Sequence, residues 1–391
     1  MASESAPVIV TGIKARWITL RMWFRLLKLA LREYRSVKNA WKALSSLLVQ
    51  RKNFTGENDT VKMIKTHGRY YWNMHVPGFP SEIFDRNFLS GLNRAVPVRS
   101  FHNRLSLLFL GITSRCPLNC RHCYDWTPLK QEDSLSVDEL QAILSKYLEK
   151  GISQVVFLGG EPMARFKDLL QLVRNVGDQS ETWFSTSGYQ LDKEKATMLK
   201  NAGLAGVWIS IDHYDKNKHN AIRGHDQAFD WAIEATQNTV NAGLLTCWSL
   251  CLTPEMVDLK ELTAYATLAA SNHVNFINIL EPMAKGRYCG KDVAIDINGL
   301  KILEEFFLKT NTDPSNSNFP VIVYDGYLLR RLGCLGAGRR YVYIDSRGHL
   351  HPCPFCRSEK AMNTMDRPVE LLLQEMQEKG CLVNHPGDRF Q

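Results

Sequence analysis

The stretch Cys116-Pro117-Leu118-Asn119-Cys120-Arg121-His122-Cys123-Tyr124 sets three cysteines in one short loop, just after the apolar run 105–112. It reads as a metal-binding loop at the end of a strand. Iron-sulfur cubes are held by cysteine thiolates, usually four, so a set of three leaves one iron without a protein ligand. An open coordination position is what separates a catalytic metal site from a structural one. Two blander readings stand beside this one: cysteines as small buried hydrophobes, and zinc completed by a distant fourth ligand.

Downstream of the loop, short apolar runs alternate with amphipathic segments, the pattern of parallel β/α units. Strands are expected at 105–112, 154–158, 182–185, 206–211, 244–252 and 274–280, with helices between them. Ser136-Val137-Asp138-Glu139 is a capping box that opens the first helix, whose Leu140, Ile143, Leu144, Tyr147 and Leu148 share one face. Six strands and at least five helices predict an α/β fold: a partial, open (β/α)6 barrel of the TIM type, since eight units would close. Chemistry in such folds sits at the C-terminal ends of the strands. That rule puts the cysteine loop, Gly159-Gly160-Glu161-Pro162, Ser185-Thr186-Ser187-Gly188, Ser210-Ile211-Asp212 and His219-Asn220-Ala221-Ile222-Arg223-Gly224 on one rim.

Cys116-x3-Cys120-x2-Cys123, with the ring of His122 before the third cysteine, resembles the signature of the radical S-adenosylmethionine (SAM) superfamily. The later turns resemble that family's turns in the same order, through Glu281-Pro282-Met283-Ala284-Lys285-Gly286-Arg287. The resemblance implies a [4Fe-4S] cluster on Cys116, Cys120 and Cys123, with SAM chelating its open iron and Tyr124 beside it. By the same resemblance Gly159, Gly160 and Glu161 meet the methionine end of SAM, Glu161 pairing its ammonium. Ser185 and Thr186 line its ribose or carboxylate, Ser210 and Asp212 its ribose and methionine ends, and Arg223 pairs its carboxylate, a suitable partner for a planar donor fork.

A second cysteine group follows the barrel: Cys334, then Cys353-Pro354-Phe355-Cys356, then Cys381. Four thiolates complete a closed cube or a tetrahedral zinc. Residues 339–351 alternate like a hairpin turning at Ser346-Arg347-Gly348. This resembles the SPASM appendage, or its shortened twitch form, found on radical SAM enzymes that modify peptides, proteins and some small molecules. It implies one auxiliary [4Fe-4S] cluster; Cys289, His351 and His385 are alternatives to Cys381. Cys247 and Cys251 are expected as plain core on one face of a strand.

Ahead of the barrel, residues 13–49 carry an apolar seam (Leu20, Trp23, Leu27, Ala30, Tyr34, Val37, Trp41, Leu44, Leu48) and a basic stripe, and are expected as one amphipathic helix. It packs on the body, on a partner helix, or on a membrane surface with its cations toward anionic head groups. The expected domains are the basic helix 1–52, a turn-rich connector 53–103, the core barrel 104–290 and the auxiliary iron-sulfur domain 291–391. A role for the Tyr70-Tyr71-Trp72 run is not readable beyond a packed hairpin face.

The 391 residues are 45% apolar and 23% charged, ordinary globular material. A net charge of +8 is modest for this length, so no nucleic-acid partner is expected. Ten cysteines, six or seven of them in metal-type spacings, with neither a signal segment nor a long uncharged apolar run, point to a reducing, cytoplasmic setting without a transmembrane helix, peripheral at a membrane if the N-terminal helix docks there. The expected function is reductive cleavage of SAM to a 5′-deoxyadenosyl radical that abstracts a substrate hydrogen, in peptide or protein modification. A reductant protein of the flavodoxin or ferredoxin type is implied. The alternatives are a radical SAM enzyme acting on a lipid-linked or small-molecule substrate at a membrane surface, and a non-catalytic iron-sulfur or zinc scaffold or electron carrier.

Overall fold

In the computed structural model, which describes residues 7–55, 62–97, 105–125, 132–357 and 362–379, the chain opens with strand β1 (Val8–Val10) and two helices, α1 (Gly12–Tyr34) and α2 (Val37–Thr55). Residues 13–49 are therefore not one helix. Arg35 takes a left-handed φ of 48° and its N–H closes on Leu31 O, a helix stop that local periodicity does not reveal. Only part of the expected seam is inside: Ala30, Tyr34 and Leu44 are buried, while Leu20, Val37 and Trp41 face solvent. The neighbouring stripe of Ala15, Ile18, Met22 and Leu26 is buried in their place.

Residues 62–97 form the hairpin β2 (Met63–Thr66) and β3 (Arg69–Tyr71), then helix α3 (Glu82–Ala95). The hairpin turns on His67 and Gly68, both at positive φ, and β1 adds to it as a third antiparallel strand. Ser81 caps α3 by accepting from Phe84 N at 3.0 Å. Arg25 pairs with Asp85, and Tyr34 donates to Leu92 O at 2.9 Å, so α1 is tied to α3 along its length.

The barrel strands follow as expected: β4 (Leu107–Gly111), β5 (Gln154–Leu158), β6 (Glu181–Thr186), β7 (Gly206–Ser210), β8 (Leu245–Cys251) and β9 (Phe276–Leu280), all parallel to their neighbours. They are buried on both faces, as parallel strands under helices must be. The covering helices are α4 (Val137–Leu148), α5 (Phe166–Val176), α6 (Lys193–Asn201), α7 (Lys216–Arg223), α8 (Ala228–Asn241) and α9 (Leu259–Ser271). The capping box is present: Ser136 N donates to Glu139 Oε2 (2.8 Å) and Glu139 N to Ser136 Oγ (3.2 Å).

The sheet runs further than six strands. After α10 (Ile297–Thr312) comes β10 (Val321–Tyr324), parallel to β9, and then α11 (Asp325–Leu332). At the opposite edge β11 (Tyr341–Ile344) pairs parallel with β4, and returns antiparallel as β12 (His349–His351), followed by β13 (Met362–Asn363) and α12 (Val369–Lys379). The expected hairpin is there, but it continues the barrel sheet. The ten strands stay open, with β10 and β13 at the edges.

The aromatic hairpin seals the N-terminal ends of the strands. Tyr71 OH and Gly78 N both donate to Glu181 Oε2 at 3.1 Å, and Trp183 Nε1 donates to Glu181 Oε1 at 3.0 Å. Gln154 Nε2 donates to Met74 O at 2.7 Å. Glu181 and Gln154 begin β6 and β5, so residues 70–80 form a floor, leaving the C-terminal ends open.

Candidate active site

The open end holds a cavity of about 310 Å³. Every residue from Cys116 to Arg223 assigned to the rim by the resemblance lines it: Cys116, Cys120, Cys123, Tyr124, Gly159, Gly160, Glu161, Ser185, Thr186, Ser210, Asp212 and Arg223. Four separate strand ends, those of β4, β5, β6 and β7, converge there.

The cysteine loop is held by backbone contacts from two distant elements. Asn119 N donates to Arg223 O (3.1 Å) and Arg121 N to Ile222 O (2.8 Å), both at the end of α7. On the other side Arg287 N donates to Cys123 O (3.0 Å). Gly286, at φ 58°, lies so close that a Cβ there would stand 2.2 Å from Cys123 O. Gly159 is explained the same way: its Cβ would meet Thr113 O at 2.5 Å, so it serves strand packing as well as the cavity wall.

Burial pushes the Cys116 thiol up to about 12 and Cys123 up to about 11. Such thiols are protonated and inert on their own, and a metal that binds the thiolate supplies the charge that burial withholds. Among the described residues no three His, Cys, Asp or Glu side chains stand close enough to hold a single metal ion. A polynuclear cluster places its thiolates on different irons, and three cysteines in one loop suit a cluster with one iron left open.

Four of the expected SAM contacts already have protein partners. Glu161 is buried and accepts from Thr186 Oγ1 (2.7 Å), Ser187 Oγ (2.6 Å), Ser187 N (2.7 Å) and Met163 N (3.1 Å). These donors occupy the carboxylate's acceptor sites, so Glu161 brackets the β5 and β6 turns together. Thr186 is the other half of that bracket. Asp212, fully buried, forms an ion pair with Arg223 (Nε to Oδ2 2.6 Å), and Cys251 N donates to its Oδ1 at 3.1 Å. Burial alone would raise the Asp212 carboxyl, but Arg223 and then His122 and His219 outweigh it and hold it below the usual range. Arg223 also directs Nη1 toward Cys120 Sγ at 3.8 Å.

Strand register supplies a polar layer that periodicity only half revealed. Ser210, Ser249 and Asn278 are paired in register across β7, β8 and β9, and all three line the cavity. Asn278 interrupts an apolar strand, which was a readable signal. His75, Asp325 and Arg340 line the cavity with no such signal, arriving from the floor segment, α11 and the turn before β11. His75 lies 3.2 Å from Asp325 and accepts at its carbonyl from Arg340 Nη2 (2.8 Å). Cys247 is core as expected, while Cys251 is part of the cavity wall.

The second cysteine group assembles at the hairpin. Cys356 N donates to Cys353 Sγ (3.1 Å), Gly336 N to Cys334 Sγ (3.4 Å), and Tyr341 hydrogen-bonds Cys334. Backbone N–H groups aimed at sulfur are what cluster thiolates need. His351 is engaged by Asp345 (3.1 Å) and stacks on Tyr343, and Cys289 is exposed. Cys381 and His385 lie outside the described residues. Cys353 lines the same cavity as the first group, Tyr124 meets Phe355 edge to face at 5.2 Å, and Arg357 pairs with Asp125.

Residues 110–268 match the Radical SAM superfamily. The chain is 28% identical over 253 residues to the PqqA peptide cyclase of Bradyrhizobium diazoefficiens, covering 63% of this chain and 66% of that one, just under two thirds of its length. It is 27% identical over 278 residues to the GTP 3′,8-cyclase of Campylobacter curvus, covering 63% and 79%. Its fold resembles Streptococcus suis SuiB bound to the precursor peptide SuiA, with TM-score 0.58, 16% identity and coverage of 73% and 69%.

Proposed function

Since this chain belongs to the radical SAM superfamily, an enzyme family that binds a [4Fe-4S] cluster and SAM, we propose that it abstracts a hydrogen from a peptide or protein substrate held between its two cysteine groups. The observation that carries this reading is the shared cavity: the first cysteine loop, the Ser210-Ser249-Asn278 layer and Cys353 all face it. A relative named for peptide cyclisation and a fold neighbour holding a precursor peptide support the substrate class.

When bound, the cluster and SAM supply the one-electron cleavage that is general to the superfamily. The chain's own residues do the rest. Arg223 balances Asp212 and leaves a donor toward Cys120, so that sulfur faces a cation instead of bare burial. The Glu161 bracket fixes the β5 and β6 turns, which keeps the cavity wall rigid and shielded from water. Ser210, Ser249 and Asn278 offer neutral donors and acceptors to orient polar groups, while Cys334, Cys353 and Cys356 suit an auxiliary cluster at the far wall.

The test is anaerobic reconstitution of the full chain, with iron and 5′-deoxyadenosine as readouts. Two centres give about eight irons per chain, and Cys116→Ala gives about four with no 5′-deoxyadenosine. Candidate peptides, GTP and lipid-linked substrates are then compared for stimulation of cleavage. Stimulation by GTP alone would replace the peptide reading; stoichiometric zinc without cleavage would sink the enzyme reading.

A further inference from the structure

Helix α1 is apolar on two opposite faces. With about 100° between successive residues, Ala15, Ile18, Met22, Leu26, Ala30 and Tyr34 form the face buried against α2 and α3. Ile13, Trp17, Leu20, Phe24, Leu27 and Leu31 fall within roughly 80° on the other side. Their exposures are 86, 59, 66, 61, 37 and 40%. Scattered exposed apolar residues need no explanation, but an unbroken five-turn stripe holding two aromatics marks an interaction surface. Val37, Trp41 and Leu48 of α2 are exposed as well.

Charge identifies the occupant. Lys14, Arg21, Lys28 and Arg32 run along one edge of the stripe, all exposed, and Glu33 is the only acid in α1. Arg21 lies over the Trp17 ring at 5.1 Å and Lys28 over the Phe24 ring at 4.7 Å, so their stems follow the apolar surface to its border. Across residues 12–55 eleven lysines and arginines face that single acid, exceeding the +8 of the whole chain, so the positive charge is concentrated on this layer. Arg25 is set apart by its pairing with Asp85. A second copy docked on the same face would bring like charges together. An anionic bilayer accepts apolar side chains below its phosphates and cations at them, and it favours tryptophan at that depth.

We propose that α1, extended by the exposed face of α2, seats this protein on an anionic phospholipid surface as a peripheral, interface-lying helix pair. No helix among the described residues is long and apolar enough to cross a membrane, in keeping with a helix that lies in the interface. α2 packs on α11, whose Leu328 and Leu329 line the cavity, so the docking layer sits one helix away from the site. The inference stands on the exposed face and does not depend on the reaction proposed above.

The experiment is flotation of the full chain with phosphatidylcholine vesicles and with mixed phosphatidylcholine–phosphatidylglycerol vesicles. The protein floats with the anionic vesicles, weakly with the neutral ones, and less as salt is raised. Trp17→Ser/Leu20→Ser/Phe24→Ser lowers the partition coefficient by about a hundredfold or more. Lys14→Gln/Arg21→Gln/Lys28→Gln lowers it roughly fivefold per cation. Both variants keep the parent melting temperature, because these side chains project into solvent. Absence of flotation, or flotation that neither variant weakens, overturns the proposal. So does a lipid-free dimer that the stripe variant converts to monomer, which would give the face to a second copy.

Discussion

The two cysteine groups look alike in composition and differ in how much of their support is local. The first loop, at residues 116–123, is clamped by partners about a hundred or more residues away: the end of α7 on one side, Gly286 and Arg287 on the other, and the Asp212–Arg223 pair beneath. The second combines its own hairpin with long-range ties to the barrel: β11 on β4, Ser346 Oγ on Ser114 Oγ at 3.2 Å, and Arg357 on Asp125. Asp345 accepts from Arg347 N (2.9 Å) and His349 N (3.0 Å) and holds His351 within six residues of itself. A loop built on long-range contacts alone is only as well positioned as the whole barrel, whereas one that adds short-range staples keeps part of its order when the barrel loosens. The contrast teaches where each centre is vulnerable.

The largest expected effect falls on the first group. Arg223→Met strands the Asp212 carboxylate in a site with no solvent exposure, and should cost about 3–5 kcal/mol in urea unfolding at neutral pH. Because Asp212 is held below its ordinary pKa, the stability it contributes is present above the usual carboxylate range and lost as pH falls through the folded value. The deficit of the variant therefore shrinks in acid, and adding Asp212→Asn restores much of the loss at pH 7. An additive double mutant would break the idea that the pair acts as a unit.

Gly286→Ala comes next. It forces a side chain into left-handed backbone and against Cys123 O, for roughly 1–3 kcal/mol. The reconstituted variant should keep about four irons, those of the second group, and lose the rest. Equal loss from both centres would show that the two groups are not independently held.

Asp345→Ala should have the smallest effect on the whole chain, about 2 kcal/mol, and should act mainly on the second group. Burial would raise the Asp345 carboxyl, but His351 and the backbone N–H groups of His349 and Arg347 bring it down to about 2. Its contribution is complete above the unfolded value near 4 and fades as pH falls from there toward 2. The variant should flatten that limb of the acid-unfolding curve, read by circular dichroism, and leave 5′-deoxyadenosine formation less affected than Gly286→Ala does.

Much of this is legible in the sequence. Burial on both faces forces parallel strands to be apolar throughout, and covering helices to be apolar on one side, so the six units could be placed within a residue or two. Thiol spacing carries metal chemistry directly, because ligands within one loop are neighbours by connectivity. Turn residues after each strand were also readable, since the fold rule sends them to one rim, and the cavity collects residues from every one of those turns.

What the chain alone did not decide is who partners whom across that rim. Glu161 and Arg223 are suitable for a ligand by type, yet the structure gives them Thr186, Ser187 and Asp212, because long-range packing sets distances that local pattern does not encode. The cavity gains His75 and Arg340 from segments without a motif. The break at Arg35 turns on one backbone angle, and packing against α2 and α3 selects which apolar stripe of α1 goes inside and which stays exposed. Sequence determined the elements and the chemistry they carry; tertiary packing decided the faces, since a helix apolar on two sides buries whichever one its neighbours fit.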